Sequence, residues 1–539
     1  MVEKERLHLF DTTLRDGAQT PGIDFSVDDK LKVIGLLERL GIDYVEGGFP
    51  GANPTDTVLF EKRRTTGNAK FTAFGMTKRA GRSIANDPGF NALLSGAADA
   101  VCLVAKSWDF HVRVALGITE DENLAAIRQS VEAIAASGRE AIIDCEHFFD
   151  GYKANPAYAL SCAKTAYEAG ARWAVLCDTN GGTLPHEVSE IVEAVKEAVP
   201  GDCLGIHTHD DTGHAVANTL AAVDAGVRQI QGTLNGVGER CGNANLIALI
   251  PTLKLKPHYA ERFETDVSDT ALAGIRQVAH EFDEILNRAP DPQAAYVGDA
   301  AFATKAGIHA SAIRKDPATY EHVPPEAVGN TRQLHVSDQG GQSNVLAALG
   351  RIGISFEKDD PCVLRLLEEV KRREAEGYAY DGAEASFAIL ARKTLGQVPR
   401  FYDVERFRVT VEHCHNALGQ LVTVTEATVK VNVDGKAILS VGEGNGPVYA
   451  LDTALRKDLG RYSVQLADLE LVDYKVRILN GGTDAVTRVV IESRDASGER
   501  WKTVGVSANI IDASFQALSD SILYKLLKEG ASPSVSAAA

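Results

Sequence analysis

Hydrophobic positions in the first half of the chain alternate between two periods. Eight short apolar runs have the length and composition of buried strands: His8–Asp11, Tyr44–Phe49, Phe71–Met76, Ala100–Ala105, Ala141–His147, Trp173–Asp178, Leu204–His209 and Gln229–Thr233. Between them lie stretches with a helical apolar stripe, formed in Ser26–Leu40 by Val27, Leu31, Ile34, Leu37 and Leu40. Glu120–Ala136, Pro156–Ala169, Leu184–Ala198 and Thr212–Ala225 repeat this texture, with Gly, Asp or Asn at most junctions. Strand–helix alternation repeated eight times over roughly 250 residues predicts an α/β fold, a (β/α)8 TIM barrel spanning 1–255. A doubly wound dinucleotide fold would place G-x-G-x-x-G after the first strand, where Asp11-Thr-Thr-Leu-Arg-Asp16 stands instead.

Beyond 255 the pattern changes twice. Ser268–Leu286 predicts one amphipathic helix, and the Pro-rich Ala289–Pro292 breaks the chain after it, so 256–398 is expected to form helical linker subdomains. After Leu395–Pro399 strand alternation returns in Phe407–Val411 and Thr428–Val433, followed by glycine-rich Gly442–Pro447 and a helix to about Leu459. The order recurs in Tyr474–Leu479, Val486–Ser493 and Trp501–Val506, with a helix over Ile510–Leu527. A shift of 63 residues superimposes Val441, Gly442, Ala450, Ala454 and Leu455 on Val504, Gly505, Ala513, Ala517 and Leu518. This predicts an α+β regulatory domain of duplicated βββα units over 399–529, whose pseudo-twofold symmetry suits dimer formation and ligand binding. Gly442–Pro447 lacks the following Lys-Ser/Thr of a phosphate loop. The small-residue tail 530–539 is expected to be disordered.

Polar residues collect at the C-terminal ends of the barrel strands, where such barrels do their chemistry. In order these are Arg15, Asp16 and Gln19; Glu46; Glu146 and His147; Asp178, Thr179 and Asn180; His207 and His209; and Asn235, Glu239, Arg240 and Asn243. His207 and His209, two apart in a strand, share one face, which makes them half of a metal site or a pair of packed core histidines. Barrel closure makes strands 1, 7 and 8 neighbours, so Asp16 and Asn243 can add oxygen ligands. Mixed nitrogen and oxygen donors suit a divalent metal ion, Mn, Zn or Mg, and leave two octahedral positions for a 2-keto acid. Arg15 would face the alkoxide that develops on its ketone.

Composition narrows the partners. A formal charge of −18 argues against nucleic acid or an anionic membrane, and no apolar run is long enough to cross a bilayer. The N-terminal MVEKERLHLFDTTL has no apolar leader segment, and the eight cysteines form no C-x-x-C pair, so a reduced, cytoplasmic protein is expected.

Leu14-Arg-Asp-Gly-Ala-Gln19 and Asn235-Gly-Val-Gly-Glu-Arg-Cys-Gly-Asn243, with His207-Thr-His-Asp-Asp211 between them, resemble the signatures of the alpha-isopropylmalate/homocitrate synthase family. The resemblance runs the whole chain. It implies that Asp16, His207, His209 and Asn243 are metal ligands, that Arg15, Glu146, His309 and Tyr320 are catalytic, and that Arg15, Thr179 and Glu46 meet substrate. It also implies a Claisen condensation of acetyl-CoA with a 2-keto acid, followed by thioester hydrolysis. Glu146–Tyr152 and Cys177–Pro185 resemble most closely the branch that uses pyruvate, for which a homodimer fed back on by isoleucine is expected. His309 is then the base that deprotonates acetyl-CoA, although Thr304 and Ala306 depart from the usual Phe-Ala-His-Lys-Gly-Gly-Ile-His. Lys305, Arg314 and Lys315 are candidates for the CoA phosphates or a solvated face. The alternatives are sister synthases using 2-oxoisovalerate or 2-oxoglutarate, a lyase or carboxyltransferase on the same barrel, and a catalytically silent amino-acid sensor. Pocket size decides between the keto acids, and Met76, Leu103 and Asp144 are candidate lining positions.

Overall fold

Eight parallel strands close into a barrel in the computed structural model, which describes residues 4–62, 67–334, 341–357, 360–415, 417–480, 482 and 485–533. They are β1 (His8–Asp11), β2 (Tyr44–Gly48), β3 (Lys70–Met76), β4 (Ala100–Lys106), β5 (Glu140–Glu146), β6 (Trp173–Asp178), β7 (Leu204–Thr208) and β8 (Gln229–Gly232). Each pairs with the next, and β1 closes the ring on β8 with His8 opposite Gln229 and Asp11 opposite Gly232. The strand count therefore predicts the observed architecture, and the strand ends agree with the expected ones to within one residue.

The two faces of these strands do different work. Phe10, Tyr44, Ala100, Cys102, Ile142, Trp173, Val175 and Cys177 cluster together, and their period of two marks the barrel interior. The alternate residues, such as Leu9, Val45, Val101, Leu103, Ile143, Leu176 and Ile206, join the helices in a separate core. Following the inward set upward from this apolar plug gives Glu46, Asp144, His207 and Gln231, all buried. Two of the surrounding helices matter to the site: α1 (Val27–Leu40), started by a Ser26–Asp29 capping box, and α2 (Pro54–Lys62).

The chain divides into two compact units, one running to Phe302 and taking in Val323–Arg332, the other formed by Ala303–His322 and the chain from Gln333 on. In the first unit the helix expected over Ser268–Leu286 is two, Asp269–Ala273 and Ile275–Ile285, divided at Gly274. Gly has the weakest helix propensity after Pro, and Gly274 ends one helix and begins the next. A short strand, Phe263–Glu264, runs parallel to Glu5–Arg6 and ties this segment to the start of the chain.

The second unit contains the predicted duplication. Strands β9 (Asp403–His415), β10 (Leu421–Val433) and β11 (Lys436–Gly444) form one antiparallel sheet followed by helix α3 (Pro447–Asp458). Strands β12 (Glu470–Ile478), β13 (Thr487–Arg494) and β14 (Arg500–Ser507) form another, followed by α4 (Ile510–Lys528). The first strand of each sheet carries a register shift near its start, at Val404/Arg406 and Leu471/Asp473. The repeated glycines have one cause: a Cβ on Gly442 would fall 2.5 Å from Ala454 N, and one on Gly505 2.0 Å from Ala513 O. Each helix lies directly on its strand there, and only glycine leaves room. Three further helices, Gln342–Arg351, Pro361–Ala375 and Glu384–Thr394, share a core with Val504 and Val506. Among the described residues no helix is long and apolar enough to cross a membrane, and all eight cysteines are free. Residues 534–539 of the expected disordered tail lie outside the described residues.

Candidate active site

The loop after β1 is fixed by its own side chains. Asp11 accepts from Thr13 N–H at 2.9 Å and Thr13 Oγ1 at 2.7 Å, and Thr13 Oγ1 in turn accepts from Leu234 N–H at 2.9 Å. The carbonyl of Thr12 takes the N–H groups of Arg15, Asp16 and Gly17 at 3.2, 2.9 and 3.1 Å. This tight turn aims Asp16 inward over the barrel. On β7 the backbone carries His207 and, one residue past the strand, His209, which bridges to Asn243 of the loop after β8. That loop folds back closely enough that a Cβ on Gly242 would lie 2.1 Å from Gly236 O, and its φ of +97° favours glycine as well.

Three ligand-type atoms meet there. Asp16 Oδ2 is 3.2 Å from His207 Nε2 and 3.9 Å from His209 Nε2, and the two Nε2 atoms are 3.2 Å apart. His207 Nδ1–H donates to Gln231 Oε1 at 2.8 Å, and Gln231 Nε2 donates to Asp144 Oδ1 at 3.0 Å. This relay fixes the tautomer that leaves a lone pair on His207 Nε2, facing His209. Lone pairs at this separation repel unless a proton or a cation lies between them. The Asn243 amide lies 3.1 Å from Asp16 Oδ2 and 3.2 Å from His207 Nε2, while its buried Oδ1 has no partner. Rotating the amide about its terminal bond brings that oxygen into the site as a fourth donor.

Electrostatics favour a cation at this point. Asp16, Glu46 and Asp144 are all buried, and Arg15 is the guanidinium among them: Nη1 is 3.3 Å from Asp16, Nε 2.7 Å from Glu46 and Nη2 3.9 Å from Asp144. Three carboxyl groups face one guanidinium, so whichever of them ionise beyond the first attract a further cation to the donor atoms. Burial opposes the charge on Asp16, but Arg15 and His207 outweigh it and hold the carboxyl far below the usual range. Burial would lower His207, yet Asp16 outweighs it and raises the imidazole; burial and then His207 push His209 down to about 3. Burial raises Glu46, helped by Asp144 and opposed by Arg15. The donors present, a carboxylate, two imidazoles and an amide, therefore fit a divalent ion.

Arg15 is held on every side. Its guanidinium carbon lies 4.0 Å over the Phe74 ring, and Glu46 Oε2 also accepts from Thr12 Oγ1 at 2.6 Å. Glu146, at the tip of β5, is ion-paired with Lys106 at the tip of β4. Thr179 Oγ1 accepts the N–H of His147, a residue held at φ 54°. Arg240, after β8, forks onto Asp211 at 2.7 and 2.9 Å and reaches Thr179 O at 2.7 Å, so three loops are joined by one side chain. His309 and Tyr320 lie in the second unit, their rings 4.2 Å apart, and Lys305 there is paired with Asp381.

One expected lining residue is corrected. Leu103 is fully buried among the barrel–helix core, because the period of β4 turns Ala100 and Cys102 inward and Leu103 outward. Val104 and Lys106, on the other face, line a cavity of about 420 Å³ together with Met76, Phe49, Phe90 and Leu116. Sequence reasoning missed Gln231, Lys106 and Phe74. Gln229 and Gln231 were visible as polar residues two apart in an apolar strand, in phase with His207. Replacing Gln231 by alanine is expected to weaken divalent-metal binding about 10- to 100-fold, because His207 loses the bond that orients it. Calorimetric titration of metal-stripped protein checks this; unchanged affinity would contradict it.

Three stretches of the chain match described families: residues 6–279 the HMGL-like family, 296–376 the homocitrate synthase post-HMGL domain-like family, and 381–526 the LeuA allosteric (dimerisation) domain. Similar proteins extend end to end. An (R)-citramalate synthase of Aquifex aeolicus (strain VF5) is 45% identical over 97% of this chain and 98% of its own length. One from Geobacter sulfurreducens is 47% identical over 96% of this chain and 97% of its own length. One from Streptomyces coelicolor is 47% identical over 98% of both. With its barrel, its convergent donors and its LeuA domain, the chain belongs to the HMGL-like family, in the branch of the (R)-citramalate synthases.

Proposed function

We propose that this chain condenses acetyl-CoA with pyruvate and hydrolyses the resulting thioester, giving citramalate and CoA. The observation that carries the reading is the convergence of Asp16, His207 and His209 beside Arg15 at the barrel mouth. Asp16, His207, His209 and the Asn243 amide oxygen would hold a divalent ion, Mn²⁺, Zn²⁺ or Mg²⁺, which supplies Lewis-acid polarisation of the ketone. Arg15 offers its guanidinium where negative charge develops on the ketone oxygen, and Glu46, Asp144 and Phe74 keep it from swinging away. His309 takes a proton from the acetyl methyl group, and that carbon forms its bond to C2 of pyruvate. The C2–O π pair moves onto the ketone oxygen, which takes up a proton to become the hydroxyl. Glu146, held by Lys106, orients the base or shares its work, and Thr179 binds the keto acid. Water then cleaves the thioester and the thiol leaves as free CoA, which draws the reaction forward.

The LeuA domain supports a homodimer with feedback by isoleucine, the branched-chain end product downstream of citramalate. An enzyme of this kind, with free cysteines, belongs in the cytoplasm. The test is CoA-thiol release with pyruvate, 2-oxobutyrate, 2-oxoisovalerate and 2-oxoglutarate, each with and without isoleucine or leucine. Pyruvate is expected to give the highest kcat/KM, and isoleucine to inhibit. Preference for 2-oxoisovalerate with inhibition by leucine alone would overturn the substrate assignment.

A further inference from the structure

Beneath the mouth of the barrel, outside the donor cluster, lies a buried ammonium group. Lys30 of α1 is 4% exposed, and its Nζ donates to Leu14 O at 2.8 Å and Gly47 O at 3.0 Å and pairs with Asp56 of α2. All three of its donors are used. Leu14 immediately precedes Arg15, and Gly47 immediately follows Glu46. Asp56, 7% exposed, also accepts from Phe49 N–H at 2.9 Å and from the Asn53 amide at 2.8 Å. The end of β2 folds over this pair: a Cβ on Gly48, whose φ is +133°, would fall 2.4 Å from the Asp56 carboxyl.

An ion pair in such a place is a weak source of stability, since packed apolar residues of the same volume do as well or better. Its geometric effect is specific. One cation grips the two backbone segments whose side chains form the Arg15–Glu46 pair, so it sets the distance across which that pair closes. We propose that Lys30, charge-balanced by Asp56, is a positioning residue for the reaction, holding Arg15 in register with the keto acid. The inference rests on the proposed role of Arg15. The metal donors depend on it less, because His207 is held by Gln231 and His209 by its backbone bridge to Asn243, neither of which Lys30 touches.

The test compares Lys30→Met with the wild type in folded, metal-loaded protein, with thermal stability and metal affinity measured alongside. The kcat/KM for pyruvate is expected to fall roughly 10- to 100-fold, the loss that an ångström-scale misplacement brings. Metal affinity is expected to stay within about threefold, being set by separate anchors. In a Glu46→Ala background, where the pair is already broken, the same substitution is expected to cost less than about threefold, since residues acting through one contact are not additive. The double variant Lys30→Met/Asp56→Leu leaves no charge unpaired and covers the case in which the single one fails to fold; it is expected to show the same loss. Full kcat/KM in either folded variant, or an equal loss with and without Glu46, overturns the proposal. Arg15→Lys in the same assay separates the two levels. If it is impaired while Lys30→Met is not, the positioning role alone fails; if Arg15→Lys is fully active, the role of Arg15 fails and this inference with it.

Discussion

Replacing His207 by alanine is expected to abolish stoichiometric binding of the divalent ion and to lower turnover about 100- to 1,000-fold. Lewis-acid polarisation contributes several kcal/mol to such a step, and each 1.36 kcal/mol is tenfold in rate. His207 stands at the centre of the cluster, 3.2 Å from both Asp16 Oδ2 and His209 Nε2, and is anchored from behind by Gln231. Its loss removes a donor and also frees the Gln231–Asp144 relay. Metal analysis of the purified variant, with circular dichroism to establish folding, is the check. A folded His207→Ala protein that keeps one ion per chain and wild-type turnover would contradict the assignment.

Replacing Arg15 by lysine is expected to cost about 10²- to 10³-fold in kcat, the range seen when one donor to a developing oxyanion is removed. The substitution keeps the charge but not the geometry. The guanidinium simultaneously meets Glu46, Asp16 and Asp144 and stacks on Phe74, and an ammonium cannot satisfy that planar set. Metal content is expected to persist, because the ligand-type atoms are untouched. Steady-state kinetics on metal-loaded protein would show kcat falling more than KM rises; wild-type kcat would remove Arg15 from the chemistry.

The sequence was most informative where a period and a position coincide. His207 and His209 are two apart in a strand, and Asp16 follows strand one, so barrel closure alone brings them near each other. The duplication was equally plain, because the glycines and alanines that let α3 and α4 lie on their strands recur at a fixed spacing. Less legible were contacts made between elements distant in sequence. Lys30 lies among Asp28, Asp29 and Lys32 and reads as part of a solvated face; only the placement of Asp56 and the Leu14 and Gly47 carbonyls shows that it is buried. Leu103 was expected to line the pocket, and strand period puts it outside the barrel. The helix boundary at Gly274 was hidden because the apolar stripe continues across it.

Carbon–carbon bond formation between acetyl-CoA and pyruvate is thus assigned to a metal-dependent site. The assignment is tested most directly by following ¹³C-labelled pyruvate by NMR with the enzyme as purified, after chelation, and after adding back a divalent ion. Citramalate is expected to appear in step with free CoA, to stop on chelation and to resume with the ion. Release of CoA without labelled citramalate, or an unchanged rate after the ion has been removed, would contradict it.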